Sequence, residues 1–187
     1  MNYFDKNQML STFLPAVRSL LVAPKQFFTE MPTAAFYGNA FFYTTFLVFI
    51  ASFVGVPFYQ WTLLFMVPVS WGVTLLLTWL WGKYIAWAVR TLAKKKLGPA
   101  NAFQMVSYAS TPAMVIYIPV ASMVGSAWGL YLLWTALVER LKVSAAMAAM
   151  IIAVPALSTY AVGYVVHMVI VAIFFSAPAA APVAAGY

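Results

Sequence analysis

Hydrophobic residues fill three long intervals of the chain that contain no charged side chain. Residues 31–82, 97–138 and 143–187 have no Asp, Glu, Lys or Arg. A transmembrane helix needs about 20 mostly apolar residues to cross a hydrocarbon core of about 30 Å. The first interval therefore has room for two spans, the second for two joined by a tight connection, and the third for one long, tilted span.

This pattern predicts an all-α fold, a polytopic transmembrane helical bundle. The five expected spans cover about residues 36–58, 62–82, 102–118, 123–139 and 144–175. The third and fourth are close to the minimum length, so a re-entrant pair that does not reach the far side of the membrane is the alternative there. Residues 176–187 are rich in Ala and Pro and are expected to form a non-cytoplasmic tail, not a sixth span.

The basic residues predict the orientation of the bundle. All ten lie before the first span, between the second and third, or between the fourth and fifth: Lys6, Arg18, Lys25, Lys83, Arg90, Lys94, Lys95, Lys96, Arg140 and Lys142. Five spans place all of them on one side of the membrane, and one span more or fewer before residue 139 would divide them. By the positive-inside rule that side, together with the N-terminus, is cytoplasmic.

Composition agrees with a membrane protein and excludes several other classes. Of the 187 residues, 65% are hydrophobic and 7% charged, whereas a soluble domain carries about a quarter charged residues. There is no cysteine, which excludes thiolate metal sites, disulfides and a cysteine nucleophile. Orientation explains the excess of basic residues, so no nucleic-acid partner is expected.

Residues 1–35 precede the first span and are expected to lie on the cytoplasmic face. An apolar stripe at helical spacing predicts a first helix, with Pro15 in its first turn: Leu10, Phe13, Leu14, Val17 and Leu21. Pro24 is expected to open a second short helix that carries Phe27, Phe28 and Met31. We predict two amphipathic interfacial helices that form a collar packed against the bundle, with membrane sensing or partner docking as the alternative.

The connection between the second and third spans is a candidate contact for anionic lipids or an acidic partner. One face of it is apolar, and the other carries basic side chains that each contribute roughly 1 kcal/mol near an anionic leaflet. The candidate residues are Lys83, Arg90, Lys94, Lys95 and Lys96. Orientation of the bundle also accounts for these charges by itself and is the simpler interpretation.

Small residues spaced four apart mark candidate helix-packing seams, because they let two backbones approach closely in lipid. They are Ala51, Gly55, Gly125, Gly129, Ala145, Ala149 and Ala153. We expect them to pack helices within the chain, with dimerisation as the alternative.

Four prolines fall in or beside the spans: Pro68, Pro112, Pro119 and Pro155. They are expected mainly to shape the bundle, and the alternative is that they form a lipid-facing groove or a substrate path.

The sequence predicts no catalytic, metal-binding or cofactor-binding residue, and therefore no enzyme. Glu139, at a cytoplasmic end, is the only acid in the predicted spans, whereas ion-coupled transport usually needs an intramembrane carboxylate. His167 is the only histidine. A hydrogen bond to a neighbouring helix is a simpler role for it than a pigment ligand or a base for Ser158 or Ser176.

Short motifs extend through most of residues 12–170: Ala23-Pro24-Lys25-Gln26-Phe27-Phe28; Leu97-Gly98-Pro99 with Phe103, Tyr108 and Pro112; Trp128-Gly129-Leu130-Tyr131-Leu132-Leu133 with Leu137; and Val143-Ser144-Ala145-Ala146 with Pro155. Together they resemble the Yip family, the Ypt-interacting proteins, in its short bacterial form. The resemblance implies five spans and a cytoplasmic N-terminus. Eukaryotic members are associated with small GTPases and vesicle traffic between endoplasmic reticulum and Golgi. This chain departs from them in lacking a long cytoplasmic N-terminal region, so the resemblance implies the fold more than a GTPase partner.

Three functions are compatible with these features. The leading hypothesis is a non-enzymatic scaffold or accessory subunit of a membrane protein complex, in the bacterial inner membrane, that binds lipids and other integral membrane proteins or a second copy of itself. The second is a scramblase-like lipid-handling or small-molecule transport protein, or a trafficking adaptor as in eukaryotic Yip proteins. The third, an intramembrane enzyme that uses His167, is the least favoured.

Overall fold

The computed structural model describes residues 3–59, 67–118, 120–158 and 161 of the chain. These residues form helices and no strand, which confirms the all-α class. The helices are α1 (Met9–Val22), α2 (Pro24–Glu30), α3 (Gly38–Tyr59), α4 (Val67–Thr91), α5 (Pro99–Ala109), α6 (Ala121–Thr135) and α7 (Ala145–Ser158). Short 3₁₀ helices lie at Lys6–Gln8 and Thr111–Val115, and a π-helical turn continues α6 at Ala136–Arg140. Met1–Ile152 form one compact unit and Ala153–Tyr187 a second; the candidate site lies within the first.

Three helical stretches of the described residues are long and apolar enough to cross a membrane. They are Gly38–Pro57, Val67–Thr91 and Ala121–Arg140, which correspond to the first, second and fourth predicted spans. The helix α7 is apolar but shorter, and most of the predicted fifth span beyond it lies outside the described residues, as does the predicted tail at 176–187. The number of five spans and their orientation therefore stay predictions.

The predicted third span is built from two short helices instead of one. The helix α5 ends at Ala109, and the 3₁₀ helix Thr111–Val115 follows. Pro112 explains the break, because a proline inside an α-helix has no N–H for the carbonyl of the residue four before it and clashes with that carbonyl. The residue four before Pro112 is Tyr108. Its carbonyl accepts a hydrogen bond from the Thr111 hydroxyl instead, at 2.5 Å.

The second predicted span is longer than expected at its C-terminal end. The expected boundary was Gly82, but α4 continues without interruption to Thr91. The reason is burial, because Ile85, Ala86 and Val89 on this extension are fully buried in the core. Lys83 therefore lies within α4, and residues 62–66 lie outside the described part of the chain.

The N-terminal helices pack against the bundle. In α1, Phe13 and Leu20 are buried, and in α2, Phe27 and Phe28 are buried. The Tyr3 hydroxyl donates to the carbonyl of Phe27 at 3.0 Å, and partial burial, followed by the charge of Glu30, raises the pKa of Tyr3. This phenol therefore stays protonated and keeps donating well above neutral pH.

Two details of α1 differ from the sequence-based prediction. Pro15 lies in the interior of the helix and not in its first turn, because the helix begins at Met9 after a 3₁₀ turn whose cap is Asp5. The predicted apolar stripe also divides between two environments. Phe13 and Val17 are buried, whereas Leu10 and Leu14 are 81% and 69% exposed, so α1 presents a second apolar edge away from the core.

Candidate functional site

Two of the predicted small residues of α6 lie against the end of α5 and the 3₁₀ helix that follows it. A Cβ placed on Gly125 would lie 2.9 Å from the carbonyl oxygen of Pro112, and one on Gly129 would lie 3.1 Å from that of Ala109. Small residues of this kind let backbones approach closely in lipid. Gly82 on α4 is in a similar position, where a Cβ would lie 3.0 Å from the Cα of Phe103.

The other predicted packing residues are in different surroundings. Ala51 and Gly55 are buried on α3, whereas Ala145, Ala149 and Ala153 lie on the exposed side of α7. The buried side of α7 carries Ala148, Ile151 and Ile152 instead. His167 and Ser176 lie outside the described residues, and the hydroxyl of Ser158 donates to the carbonyl of Val154 on its own helix.

Four of the five predicted basic residues meet at the end of α4. Arg90, Lys94, Lys95 and Lys96, with Leu97 and Gly98, line one open pocket of about 460 Å³, which we call the basic pocket. None of the lining residues is acidic. Lys83 lies elsewhere on α4, with its ammonium 5.0 Å from the ring centroid of Trp79.

The turn that follows α4 brings these cations together. Lys94 adopts a left-handed conformation with φ of 55°, which a helix C-terminus commonly uses to reverse the chain and which usually requires glycine or asparagine. The N–H of Lys95 then donates to the carbonyl of Val89 at 3.2 Å, and Leu97 is buried. The chain is thus anchored on both sides of the three consecutive lysines, which are themselves exposed.

The start of α5 adds a second source of positive potential. Gly98 is its N-cap and offers no side chain to bond the free N–H groups of the first turn. The N-terminus of a helix carries about half a positive charge, and its N–H groups bind anions. Because Gly98 also lines the basic pocket, the helix dipole and the four side-chain cations act on the same space. Such an arrangement can hold a multiply charged anion, such as a phosphate.

A second cavity lies inside the bundle, and four residues that the sequence singled out line it: Ala51, Pro112, Gly125 and Gly129. Its volume is about 360 Å³, and residues of α3, α4, α5 and α6 line it, among them Thr44, Thr74, Thr78 and Ser110. The only signal for it in the sequence was Pro112, whose position within a span suggested a groove as one alternative.

Among the described residues, no group of three or more His, Cys, Asp or Glu side chains is placed to hold a metal ion.

Comparison with protein-family models decides the family. The model of the Yip1 domain matches residues 18–170, which is most of the chain. The chain belongs to the Yip1 family. No curated protein and no solved structure gives a significant match. The resemblance seen in the short motifs is thereby confirmed.

The Yip1 motifs fall at structural junctions of this protein. In the Leu97-Gly98-Pro99 motif, Leu97 and Gly98 line the basic pocket and Pro99 begins α5. Phe27 and Phe28 are buried where α2 packs on the bundle, and Gly129 lies against α5. The matched region thus contains both the basic pocket and the internal cavity of this Yip1-family membrane protein.

Proposed function

We propose that this Yip1-family protein is a non-enzymatic scaffold or accessory subunit of membrane protein complexes that binds anionic lipid headgroups at its basic pocket. The observation that carries the proposal is the convergence of Arg90, Lys94, Lys95 and Lys96 on one open space without an acidic neighbour in its lining. The proposed location is the bacterial inner membrane, with the basic pocket at its cytoplasmic surface. Further integral membrane proteins, or a second copy of the chain, are the proposed protein partners.

Contacts along α4 support a full crossing by the segment that follows the pocket. Gly82 of α4 lies against Phe103 of α5, and Ser70, near the start of α4, lies 3.3 Å from the hydroxyl of Tyr117. From Ser70 to Thr91 a helix rises about 32 Å, which matches the hydrocarbon thickness of about 30 Å. The segment from Pro99 to Tyr117 runs beside most of that length. This agrees with five crossings and a basic pocket in the cytoplasmic leaflet.

A contact between the N-terminal helices and the end of α6 supports the proposed cytoplasmic position of the basic pocket. Arg140 at the end of α6 donates to backbone carbonyls of Phe28, Met31 and Pro32 after α2, so the end of α6 and the N-terminal helices meet. With the positive-inside rule, both belong to the cytoplasmic side. The exposed edge of α1 with Leu10 and Leu14 then suits the boundary between headgroups and acyl chains, where amphipathic helices insert their apolar face.

The expected strength of headgroup binding follows from charge. Each Lys or Arg near an anionic surface contributes about 1 kcal/mol, so the four cations together favour an anionic over a zwitterionic headgroup by up to roughly 4 kcal/mol. The lysines are exposed, and salt therefore screens part of this preference.

Native mass spectrometry of the purified protein tests the proposal. After exchange into mixed micelles of phosphatidylcholine and phosphatidylglycerol, the wild type should retain phosphatidylglycerol preferentially. The double variant Lys94→Asn with Lys95→Gln removes two pocket cations, which together contribute about 2 kcal/mol, and at low salt it should lower this preference roughly thirtyfold. Asparagine is chosen at 94 because it tolerates the left-handed conformation.

The matched control is the double variant Lys142→Asn with Lys83→Gln. Lys142 also has a positive φ, of 52°, and neither residue lines the basic pocket. The control has the same net charge as the test variant, so it should keep the wild-type preference. Equal losses in both variants would show that net charge and not the pocket determines lipid binding, and this would reject the headgroup site.

The proposed role as an accessory subunit has its own test. Purification in mild detergent, followed by chemical cross-linking and mass spectrometry, should identify a membrane protein or a second copy at constant stoichiometry. A strictly monomeric protein without such a partner would contradict it.

Lipid handling is a second candidate function, and the internal cavity is the observation that favours it. If the protein moves lipids between leaflets, vesicles that contain it should exchange fluorescent lipids faster than protein-free vesicles. An unchanged rate would remove this candidate and leave the scaffold proposal untouched.

A further inference from the structure

The internal cavity extends along α6 from the connection before that helix to Leu133, near its C-terminal end. Ser122, Ser126 and Leu133 of α6 line one wall, and Thr74, Thr78 and Trp81 of α4 another. The remaining walls come from α3, from the end of α5 and from the 3₁₀ helix with Pro112 and Ala113. We call this cavity the bundle groove.

The groove is mostly apolar, and several of its hydroxyl groups are already hydrogen-bonded. The hydroxyls of Thr78, Ser110 and Ser126 donate to the carbonyls of Thr74, Val106 and Ser122, at 2.7, 2.8 and 2.8 Å. The hydroxyl of Thr44 has two acceptors at 3.0 Å, the carbonyl of Ala40 and the hydroxyl of Ser107. The protons of these four hydroxyls are therefore bonded inside the protein, so a guest does not need to accept them.

The absence of charged side chains in its lining excludes charged guests from the groove. None of the residues that line the groove is charged, and burying an ion without a paired charge costs several kcal/mol or more. An inorganic ion or a charged metabolite therefore has no partner in the groove. An apolar chain carries no such cost, and it gains van der Waals contacts with the side chains that line the groove.

The groove is continuous with surfaces that face lipid. Leu77 on α4, Leu130 on α6 and Ile116 before α6 line it and are also exposed at its rim. Two of its walls, α4 and α6, belong to stretches long and apolar enough to span a membrane. The acyl chains of the bilayer are therefore the apolar groups that lie next to its opening.

The length of the groove fits one leaflet. From Ser122 to Leu133 along α6, eleven steps at about 1.5 Å give about 16 Å. This is close to half of the hydrocarbon core of about 30 Å. Tyr117 and Ser122 lie at the end that the five-span arrangement puts farthest from the basic pocket.

We propose that the bundle groove holds one acyl chain of a membrane lipid from the leaflet opposite the basic pocket. The glycine contacts explain why the groove persists. Gly125 and Gly129 hold α6 against the segment from Ala109 to Pro112 by backbone approach, and neither contributes a side chain to the space beside it. The inference does not depend on headgroup binding at the basic pocket.

Photo-cross-linking tests the occupant directly. The protein is reconstituted into phosphatidylcholine vesicles in which part of the lipid carries a diazirine on one acyl chain, irradiated, digested and mapped by mass spectrometry. Thr78 and Leu133 line the groove but are buried, so lipids that only surround the protein cannot reach them. We expect adducts at these two residues in addition to those on the outward-facing Leu80.

Filling the groove should remove these adducts. The variant Thr74→Phe places a ring in the space of the guest chain and should lower the adducts at Thr78 and Leu133 severalfold relative to Leu80. The matched control Val73→Phe adds a ring on the adjacent, exposed position of α4 and should change nothing. If Thr74→Phe does not fold, Ala113→Phe fills the groove from the 3₁₀ helix.

The possible results separate the occupants. Adducts restricted to outward-facing residues, or adducts at Thr78 and Leu133 that persist in both filled variants, would overturn the proposal. In contrast, groove adducts that survive in the Lys94→Asn and Lys95→Gln variant would support it even if the headgroup proposal fails.

Discussion

The guanidinium of Arg140 donates a hydrogen bond to the backbone carbonyl of Met31, 109 residues earlier in the chain. The same side chain lies 3.5 Å from the carbonyl oxygens of Phe28 and Pro32. These carbonyls lie at and just beyond the C-terminal end of α2, where backbone acceptors lack helical partners and a cation is favoured. Arg140 therefore fastens the N-terminal helices to the end of α6.

Removing this contact should loosen the N-terminal helices. Hydrogen bonds to a charged group contribute about 1.5–3 kcal/mol, so Arg140→Met should destabilise the protein by about that amount. We expect a lower melting temperature by tryptophan fluorescence and faster proteolysis between α2 and α3. Lys142→Met is the control, because it removes an exposed ion pair with Glu139 at 3.7 Å, and such pairs contribute about 0–1 kcal/mol. Equal melting temperatures for both variants would contradict this role of Arg140.

Glycine substitutions should separate packed from open positions. Gly125→Ala puts a methyl group 2.9 Å from the carbonyl oxygen of Pro112, and overpacking of this kind costs about 1–3 kcal/mol. Gly72→Ala meets nothing within 4 Å, so the better helix propensity of alanine should stabilise α4 by up to about 1 kcal/mol. Melting temperatures in one detergent measure both. A Gly125→Ala protein as stable as the wild type would disprove the close approach of α6 to Pro112.

Neighbouring residues of α1 should differ sharply in their effect on stability. Phe13 is 2% exposed and Leu14 is 69% exposed. Phe13→Ala should cost about 3–5 kcal/mol, the usual cost of truncating a buried Phe. Leu14→Ala should stay within about 0.5 kcal/mol in detergent but should weaken attachment of α1 to vesicles, measured by fluorescence quenching with brominated lipids. Similar stability losses for the two variants would contradict the packing of α1.

Salt should weaken the headgroup preference of the basic pocket. The screening length is about 10 Å at 0.1 M salt and about 3 Å at 1 M. We expect the enrichment of phosphatidylglycerol on the wild type to decrease as NaCl increases, and to depend less on NaCl in the Lys94→Asn and Lys95→Gln variant. A wild-type enrichment that does not change with salt would indicate a non-electrostatic origin.

The sequence predicted the helical class and the approximate location of the long helices because charge and hydropathy change abruptly along this chain. It also indicated the basic residues and the GxxxG pair, since both are local patterns. The charge of Lys83 led to a predicted span boundary at Gly82, but burial of Ile85 and Val89 against other helices continues α4 past that residue. The break after α5 depends on how Thr111 replaces the hydrogen bond that Pro112 cannot make, and no local pattern specifies that geometry.

Tertiary contacts also determined the composition of the candidate site. The sequence treated five cations as one group, but the turn at Lys94 brings four of them together and leaves Lys83 over Trp79. Pro112 was the only sequence signal for the bundle groove, because its hydroxyl-bearing residues come from α3, α4, α6 and the connection between α5 and α6. Such residues are common in membrane helices, and only the packing shows that they share a cavity.

Labelling of single cysteines tests the central claim, that the chain crosses the membrane between the basic pocket and the start of α6. The natural sequence has no cysteine, so Lys95→Cys and Val120→Cys can be labelled without background, and Val120 is 76% exposed. In intact cells a membrane-impermeant maleimide should label Val120→Cys, whereas Lys95→Cys should react only after the membrane is permeabilised. Labelling of both positions from the same side would mean that α5 and the segment after it turn back within the membrane, and would contradict the proposed architecture.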